Sequence, residues 1–352
     1  MSFTMYHSGS DIRENKKMKI IDLHQDILIH QDNQSQYKYK NQTSLDQIMN
    51  SDIRVVFGTG FVFGENDNFF APNCMNLIEQ DIDRYIQYSK VNADFIVIKT
   101  ADDFASVTSD RSQPEKRGVI FHIEGLNTLE DTQECWDFLQ RMYEKGLRSI
   151  GIVWTLQNSI GGGNDSSPDC GLTPLGEKLI RWAFEHGVLV DYAHMNEKTF
   201  SDVLSIATEQ SAKGKVPQPV FISHGNARSI CDNNRNYSDD QLMKVKESGG
   251  IIGVFFANNC LVSEGLATVD DVVKHIVYIR DLIGIDYIAI GSDLGGLSLN
   301  IPEGLRNIYS FDNLEKALLK AGFSDEDTEK IFYKNAYRFL KLSFGRKSSI
   351  MQ

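Results

Sequence analysis

Short apolar runs rich in β-branched residues alternate along the chain with longer segments of helical periodicity. Near-continuous apolar runs of this length are typical of parallel strands that are buried on both faces. We therefore predict eight such strands. They are Lys19–His24, Arg54–Phe61, Gly118–Ile123, Ser149–Trp154, Val188–Ala193, Pro219–Ser223, Ile251–Phe256 and Tyr287–Gly291.

The segments between the strands carry start and stop signals of helices. Thr173-Pro174 places a capping residue before a first-turn proline, and Gly146 and Gly187 directly follow two helical patterns. A minor strand, Phe95–Lys99, is predicted between the second and third strands, and two more helices close the chain. The predicted helices are Asp131–Lys145, Leu175–His186, Glu197–Gln210, Asp239–Ser248, Val269–Leu282, Asp312–Lys320 and Asp325–Phe344.

Eight strands that alternate with helices predict an α/β fold of the (β/α)8 barrel type, with its site at the carboxyl ends of the strands. A doubly wound open sheet gives the same alternation and is the alternative fold. No glycine-rich phosphate loop follows the first strand, and the run Gly161–Asn164 lacks GxGxxG spacing, so it is predicted to be a flexible loop. One domain is expected over residues 18–345, after a disordered leader of residues 1–17.

Composition narrows the function further. The 352 residues include 48 Asp and Glu against 36 Lys and Arg, a net charge of −12. Such a balance argues against nucleic-acid partners and anionic membrane surfaces. No stretch approaches the ~18 apolar residues of a membrane span, and no signal-peptide pattern opens the chain. The five cysteines are odd in number and never in CxxC spacing, which predicts a protein of the reducing cytoplasm.

Ionisable residues follow the apolar runs at five of the predicted strands. A single Asp or His in such a place is more often a helix cap or a hydrogen-bonded core group. Six of them at corresponding strand ends are the ligand set of one or two Zn²⁺ or similar ions. His122 is expected either to orient Glu124, two residues later, or to be a satisfied core histidine. The six residues are His24, Asp26, Glu124, His194, His224 and Asp293.

Five segments resemble the renal (membrane) dipeptidase family, peptidase family M19, a binuclear zinc branch of the amidohydrolase superfamily. They read IDLHQDIL, FHIEGLNTLED, GLTPLGEKLIRWAFEHGVLVDYAHM, PVFISHGNARSICDNNRNYSDDQL and IAIGSDLGG, and they occur in the family's order over roughly residues 19 to 342. The resemblance supports an amidohydrolase-like barrel independently of the strand count. It also suggests a homodimer.

The resemblance assigns a role to each motif residue. His24 and Asp26 match ligands of one metal, Glu124 matches the carboxylate that bridges both metals, and His194 and His224 match imidazoles of the second metal. Asp293 matches a metal-side aspartate that handles the proton of the bridging water. Arg235, in NNRNYSDD, matches an arginine that holds the substrate, where a planar guanidinium suits a carboxylate.

The chain departs from the family pattern at two positions. Trp154 stands where animal members have a histidine that contacts the substrate, and an indole N–H cannot deliver a proton. Relatives of bacterial type often carry Trp there. The family's Asp-Phe-Asp-Gly after the eighth strand becomes Asp293-Leu294-Gly295-Gly296, so its second acid is missing. The first change bears on the substrate preference. Whatever the second acid does in packing or in the substrate pocket is done differently in this chain.

The resemblance implies a dipeptidase with two divalent ions, expected to be Zn²⁺, that hydrolyses the peptide bond of a dipeptide by metal-activated hydroxide. Its expected partner is a small-molecule substrate. Two alternatives stay open. The same metals could open another small amide or lactone, or the chain could bind metal and ligand without turnover.

Overall fold

The computed structural model describes residues 18–28, 42–61, 74–109, 115–215, 218–297 and 301–345. The expected leader, residues 1–17, lies outside these ranges. Within them, nine strands pair in parallel. The strands are β1 (Ile20–Gln25), β2 (Ile53–Gly60), β3 (Phe95–Val97), β4 (Arg117–Glu124), β5 (Leu147–Gly151), β6 (Leu189–Asp191), β7 (Phe221–Gly225), β8 (Ile251–Val254) and β9 (Ile288–Ile290).

Helices occupy most connections between the strands. The later ones follow the predicted positions closely, whereas three helices between β1 and β4 were not predicted by residue number. The helices are α1 (Leu45–Met49), α2 (Cys74–Val91), α3 (Ala101–Thr108), α4 (Gln133–Lys145), α5 (Pro174–Glu185), α6 (Glu197–Ala212), α7 (Asp239–Ser248), α8 (Asn258–Leu261), α9 (Val269–Ile283), α10 (Phe311–Lys320), α11 (Asp325–Glu329) and α12 (Asn335–Gly345).

Eight of the strands close into a ring. β1 pairs with both β2 and β9, and β2 pairs directly with β4. β3 adds to the first residues of β4 and stays outside the ring. An open sheet would end in two edge strands, so this closure confirms the (β/α)8 barrel and excludes the doubly wound alternative.

Several elements end differently from the prediction: β5 stops at Gly151 and β8 at Val254, short of the predicted Trp154 and Phe256, and two further cases have a local explanation. β6 stops at Asp191, short of the predicted Ala193, because the Ala193 N–H bonds to the Asp191 carboxylate at 3.0 Å instead of continuing the strand. The last predicted helix, Asp325–Phe344, is interrupted between α11 and α12 by a π-helical turn over Lys330–Lys334.

Helix α12 packs against one end of the barrel. Alternate residues of the strands share a buried cluster with this helix, including Ile21 of β1 and Phe57 of β2. Phe221, at the start of β7, lies against Phe57 with ring centroids 5.3 Å apart and stacks on Phe339 of α12 at 5.6 Å. The amino-terminal end of the barrel is therefore filled and covered by hydrocarbon, which leaves the carboxyl ends of the strands for a site.

In the part of the chain that the structure describes, no helix combines the length and apolarity needed to cross a bilayer.

Replacing Phe339 by alanine tests the contribution of this cover. The side chain is 2% exposed, so Phe339→Ala is expected to lower the free energy of unfolding by about 3–5 kcal/mol, measured by urea denaturation. Leu342→Ala, on the exposed side of the same helix, is the control and should change it by less than roughly 0.5 kcal/mol. Equal effects of the two changes would contradict the assigned packing.

Candidate metal centre

The structure brings the six predicted residues to the carboxyl end of the barrel. His24 lies near the end of β1 and Asp26 directly follows that strand, while Glu124 is the last residue of β4. His224 lies within β7, and His194 and Asp293 each follow a strand by three residues. The side chains of the first five are buried, and that of Asp293 is 14% exposed.

Glu124 lies at the centre of the group. Its Oε1 is 3.0 Å from Nε2 of His194 and 3.5 Å from Nε2 of His224. Its Oε2 faces the other way and lies 3.6 Å from Nε2 of His24. The two oxygens of one carboxylate thus have different nearest nitrogen donors, although His24, Glu124 and His224 also form one group whose ligand atoms lie within 4.8 Å of one another.

A second group of donor atoms surrounds His24. Its Nε2 is 3.5 Å from Oδ1 of Asp293 and 3.8 Å from Oδ2 of Asp26, and the three residues form one of the clusters that could hold a metal ion. Thr59 of β2 places its hydroxyl 3.3 Å from the same nitrogen. Imidazole and carboxylate atoms at these separations are suited to a divalent ion between them.

Backbone geometry aims two of the six side chains. His194 has φ 65° and Asp293 has φ 60°, a left-handed conformation that non-glycine residues seldom adopt. Hydrogen bonds fix the second of these: Asp293 N–H donates to His24 O, and Asp26 N–H donates to Leu294 O, both at 3.0 Å. Conformations of this kind concentrate at functional sites.

The carboxylates concentrate negative charge around His24. Burial opposes its protonation, but Glu124, Asp26 and Asp293 outweigh burial and raise the pKa of the imidazole to about 10. Burial and the neighbouring Asp293 raise the pKa of Asp26 well above its usual range. Such a cluster needs a cation, and a divalent ion supplies more compensating charge than one proton on His24.

The two remaining imidazoles stay neutral. Burial, followed by the nearby positive charge of Arg235, lowers the pKa of His194 to about 4. Burial and the charges of His24 and Arg235 lower the pKa of His224 well below its ordinary value. Neutral imidazole is the form that binds metals.

A buried oxygen of Asp26 also indicates that a cation can bind among these donor atoms. Oδ1 of Asp26 is buried and has no hydrogen-bond partner among the described residues, a costly state unless a cation binds there. Gly296 leaves space beside it, because a Cβ at this residue would lie 2.1 Å from Oδ2 of Asp26 and 2.8 Å from Oδ1 of Asp293.

A cavity of about 410 Å³ opens onto the six residues. Five of them line it, His24 being the exception. The other lining residues are apolar, aromatic or uncharged, and sequence reasoning found only Trp154 among them. They are Phe61, Trp154, Phe255, Ala257, Asn258, Asn259, Gly296 and Leu297.

Trp154 lies on the wall of this cavity. Its ring packs against Phe61 at 5.3 Å and against the His194 imidazole at 5.9 Å between centroids. The glycine run that follows supports this position. Its residues are buried, and a Cβ at Gly163 would lie 2.0 Å from Trp154 O. Gly161–Asn164 forms a loop, as predicted, and its glycines permit close backbone packing.

Arg235 is not among the residues that line the cavity. Its Nη2 donates to the backbone oxygen of His224 at 3.0 Å, and its guanidinium lies over the Phe255 ring. Nε and Nη1 are buried without a hydrogen-bond partner in the described part of the chain. The arginine is thus close to the predicted metal ligands but, in this structure, behind the cavity wall.

His122 hydrogen-bonds elsewhere than to Glu124. Its Nδ1 is 3.0 Å from the Ser149 hydroxyl, and its Nε2 is 3.6 Å from the carboxylate of Asp191. Asp191 and Asp22, both buried, were missed by the sequence reasoning. The available signal was an acid inside an apolar strand that is buried on both faces, as in IIDLH and VLVDYAH.

The missing second acid after β9 has a steric explanation. Gly295, at the position of that acid, has φ 98°, and a Cβ there would lie 2.4 Å from Asp26 O. Its N–H donates to the side chain of Gln42 at 2.8 Å. In this chain the turn after Asp293 packs directly on the backbone of Asp26, so no side chain fits.

The sequence of the chain matches a known protein family. The model of the membrane dipeptidase family, peptidase family M19, matches residues 13–346. The chain belongs to this family. As a member of family M19 it is a metal-dependent hydrolase, as the motifs implied.

Three individual proteins illustrate what this M19 protein is similar to. A Klebsiella pneumoniae protein from the pqqA 5′ region is 34% identical over 63% of this chain and 81% of its own length. Dipeptidase 3 of Rattus norvegicus is 25% identical over 89% of this chain, which spans 61% of the rat protein. A Rhodobacter sphaeroides metallo peptidase, solved with a phosphinate mimic of the dipeptide L-Ala-D-Ala, shares the fold, with a TM-score of 0.78 at 21% identity over 93% and 100% of the two chains.

A methyl group at Gly295 should disturb the M19 site. Because its Cβ would overlap Asp26 O and its φ is positive, Gly295→Ala is expected to destabilise the protein by roughly 2–4 kcal/mol and to reduce bound metal. Gly322→Ala, with φ 91° and nothing within 4 Å of the new Cβ, should cost about 1 kcal/mol and leave bound metal unchanged. Urea unfolding and metal analysis measure both; similar results for the two variants would refute the steric argument.

Proposed function

We propose that this M19 protein is a dipeptidase that works with two divalent metal ions. The position of Glu124 carries the proposal, since its Oε1 faces His194 and His224 while its Oε2 faces His24. A carboxylate placed in this way can bridge two ions. The proposal assigns His24, Asp26 and Asp293 to the first ion, His194 and His224 to the second, and Glu124 to both.

When bound, the ions supply Lewis acidity and lower the pKa of a water molecule to about 7. The residues of the chain do the rest. Asp293, which lines the cavity, accepts the proton of the attacking water and passes it to the leaving amine. Trp154, on the cavity wall, limits the space beside His194 and can donate its indole N–H to the substrate.

Arg235 is proposed to hold the terminal carboxylate of the substrate. Nε and Nη1, which have no hydrogen-bond partner among the described residues, are the donors available for this. Because the guanidinium lies behind Phe255 and outside the lining of the cavity, this role requires side chains to rearrange when substrate binds.

The size and chemistry of the cavity support a small substrate. About 410 Å³ lies within the usual range for small-molecule sites and suits a dipeptide. Aromatic side chains, Phe61, Trp154 and Phe255, provide much of the wall away from the carboxylates. The family supports the dipeptide as the substrate class.

Four further expectations stay proposals. Zinc is favoured by a donor set of imidazoles and carboxylates. The cytoplasm is supported by the five cysteines, all free thiols. Residues 18–345 are proposed as one domain, and the homodimer rests on the family resemblance.

Metal analysis combined with a substrate panel tests the function. Purified protein is expected to bind two equivalents of Zn²⁺, Co²⁺ or Mn²⁺ and to release amino acids from dipeptides, with L- and D-residues compared at each position, until a chelator is added. Asp293→Asn should keep most metal and lose most turnover. Near-normal activity in that variant would contradict the role of Asp293 in proton transfer.

Other results of the same panel would favour the alternatives. Faster hydrolysis of acylated, cyclic or lactone substrates than of any dipeptide would indicate another small amide or ester as the substrate. Binding of dipeptides by metal-loaded protein without release of amino acids would indicate a binding protein. Failure to bind any of the three ions would refute the proposed function.

Trp154→His, which installs the residue of the animal relatives, tests the cavity wall. The imidazole is smaller than the indole and can exchange a proton, so we expect kcat/KM to shift among dipeptides without general inactivation. The ratios of kcat/KM across the panel measure this, with the wild-type protein in parallel. Identical ratios in the two proteins would mean that Trp154 does not contact the substrate.

A further inference from the structure

Two buried Asp–Ser pairs lie beneath the six proposed ligands. The first clamp, as we name it, is Asp22 with Ser292, and the second clamp is Asp191 with Ser223. All four residues are at most 1% exposed. None of them is among the six residues that the motifs single out, and the role of the pairs follows from their contacts.

The first clamp joins β1 to the segment after β9. Oδ2 of Asp22 accepts the Ser292 hydroxyl at 2.5 Å, and Oδ1 accepts the Ser292 N–H at 2.9 Å. The same Oδ1 accepts the N–H of His24, two residues along its own strand, at 3.3 Å. Gln25 adds a fourth donor at 2.6 Å.

The second clamp repeats this arrangement between β6 and β7. Oδ2 of Asp191 accepts the Ser223 hydroxyl at 2.5 Å, and Oδ1 accepts the Ser223 N–H at 2.9 Å. Oδ1 also accepts the N–H of Ala193, again two residues along the chain, at 3.0 Å. The same three bonds therefore occur twice in the barrel.

Each clamp connects proposed ligands of one metal ion. Ser292 directly precedes Asp293, and Asp22 lies two residues before His24, so the first clamp fixes two ligands of the first ion relative to each other. Ser223 directly precedes His224, and Asp191 lies three residues before His194, so the second clamp does the same for the second ion. Buried charge-assisted hydrogen bonds of this kind fix geometry strongly.

The second clamp also reaches the imidazole rings. Oγ of Ser223 is 2.7 Å from Nδ1 of His224 and 3.4 Å from Nδ1 of His24. The hydroxyl donates to the Asp191 carboxylate, so its lone pairs are left to accept Nδ1–H from the rings. Nε2 is then the nitrogen of each ring that is left for a metal ion, which His24 can bind once it has lost its second proton.

We propose that the two clamps are positioning devices that act selectively. The first clamp, Asp22–Ser292, sets the affinity of the first ion, whereas the second clamp, Asp191–Ser223, sets that of the second ion and, through His24, contributes to the first. This inference rests on the two-metal function proposed above.

Removal of each serine hydroxyl tests the proposal. Ser292→Ala is expected to weaken binding of the first ion about 10–100-fold. Ser223→Ala is expected to weaken binding of the second ion by a similar factor and binding of the first ion by less. Titration of the metal-free protein with Co²⁺ against a competing chelator measures both dissociation constants. His194→Ala, which lacks one ligand of the second ion only, identifies the step that belongs to that ion.

Controls separate positioning from a general loss of structure. Ser51→Ala removes another buried serine, two residues before β2, whose hydroxyl bonds to the backbone of Ile48 and Ile53 and contacts neither the proposed ligands nor the clamps, and it should leave both constants unchanged. Urea unfolding of each metal-free variant shows whether it folds. If either serine variant does not fold, Asp22→Asn and Asp191→Asn, which keep the size of the side chain but remove its charge, replace it and should show the same selectivity.

The outcomes distinguish this inference from the function on which it rests. If the wild-type protein binds two ions but both clamp serine variants keep wild-type constants, or if Ser51→Ala weakens binding equally, the clamps have no positioning role. If the wild-type protein binds fewer than two ions, the proposed function fails and the clamps lose their assignment with it.

Discussion

The cost of burying three carboxylates together is the constraint on which the rest of the site depends. Asp26, Glu124 and Asp293 lie within 3.8 Å of one imidazole nitrogen, with little access to water. Uncompensated charges so close together would repel one another by several kcal/mol. A divalent ion, of the kind that a metal-dependent hydrolase holds, would offset this repulsion, and the neutral imidazoles of His194 and His224 lie beside Glu124.

The barrel separates this polar region from the hydrocarbon that stabilises the fold. At the amino-terminal end, Phe57, Phe221 and Phe339 pack into a cluster that excludes water. At the other end, strand termini present side chains that the adjacent strands hold in place. Strained backbone at Asp293 is tolerated there because neighbouring hydrogen bonds fix it.

The sequence predicted the ring of strands and the convergence of the six residues because both follow from periodic burial. A buried parallel strand gives a continuous apolar run, and the residue after it lies at the mouth of the barrel. The family resemblance also implies a barrel with these residues at the carboxyl ends of its strands. Helices α1 to α3, outside the clearest pattern, were the least predictable part.

Contacts between residues distant in sequence could not be predicted in this way. The fit of Gly295 on Asp26 depends on a turn 269 positions away along the chain, where no local pattern signals the approach. The burial of Arg235 against Phe255 and the packing of Gly161–Asn164 are of the same kind, since both depend on residues that are distant along the chain. Side-chain direction after a strand, as at His194, depends on a single φ angle that propensity does not determine.

The position of α12 in the chain has a consequence for biosynthesis. The last strand of the ring ends at Ile290. The aromatic residues that complete the interior cluster, Phe339 and Phe344, follow some fifty positions later. A nascent chain would therefore expose the apolar end of its barrel until this helix has left the ribosome. Completion of this water-excluding cluster therefore follows the synthesis of all the strands of the ring.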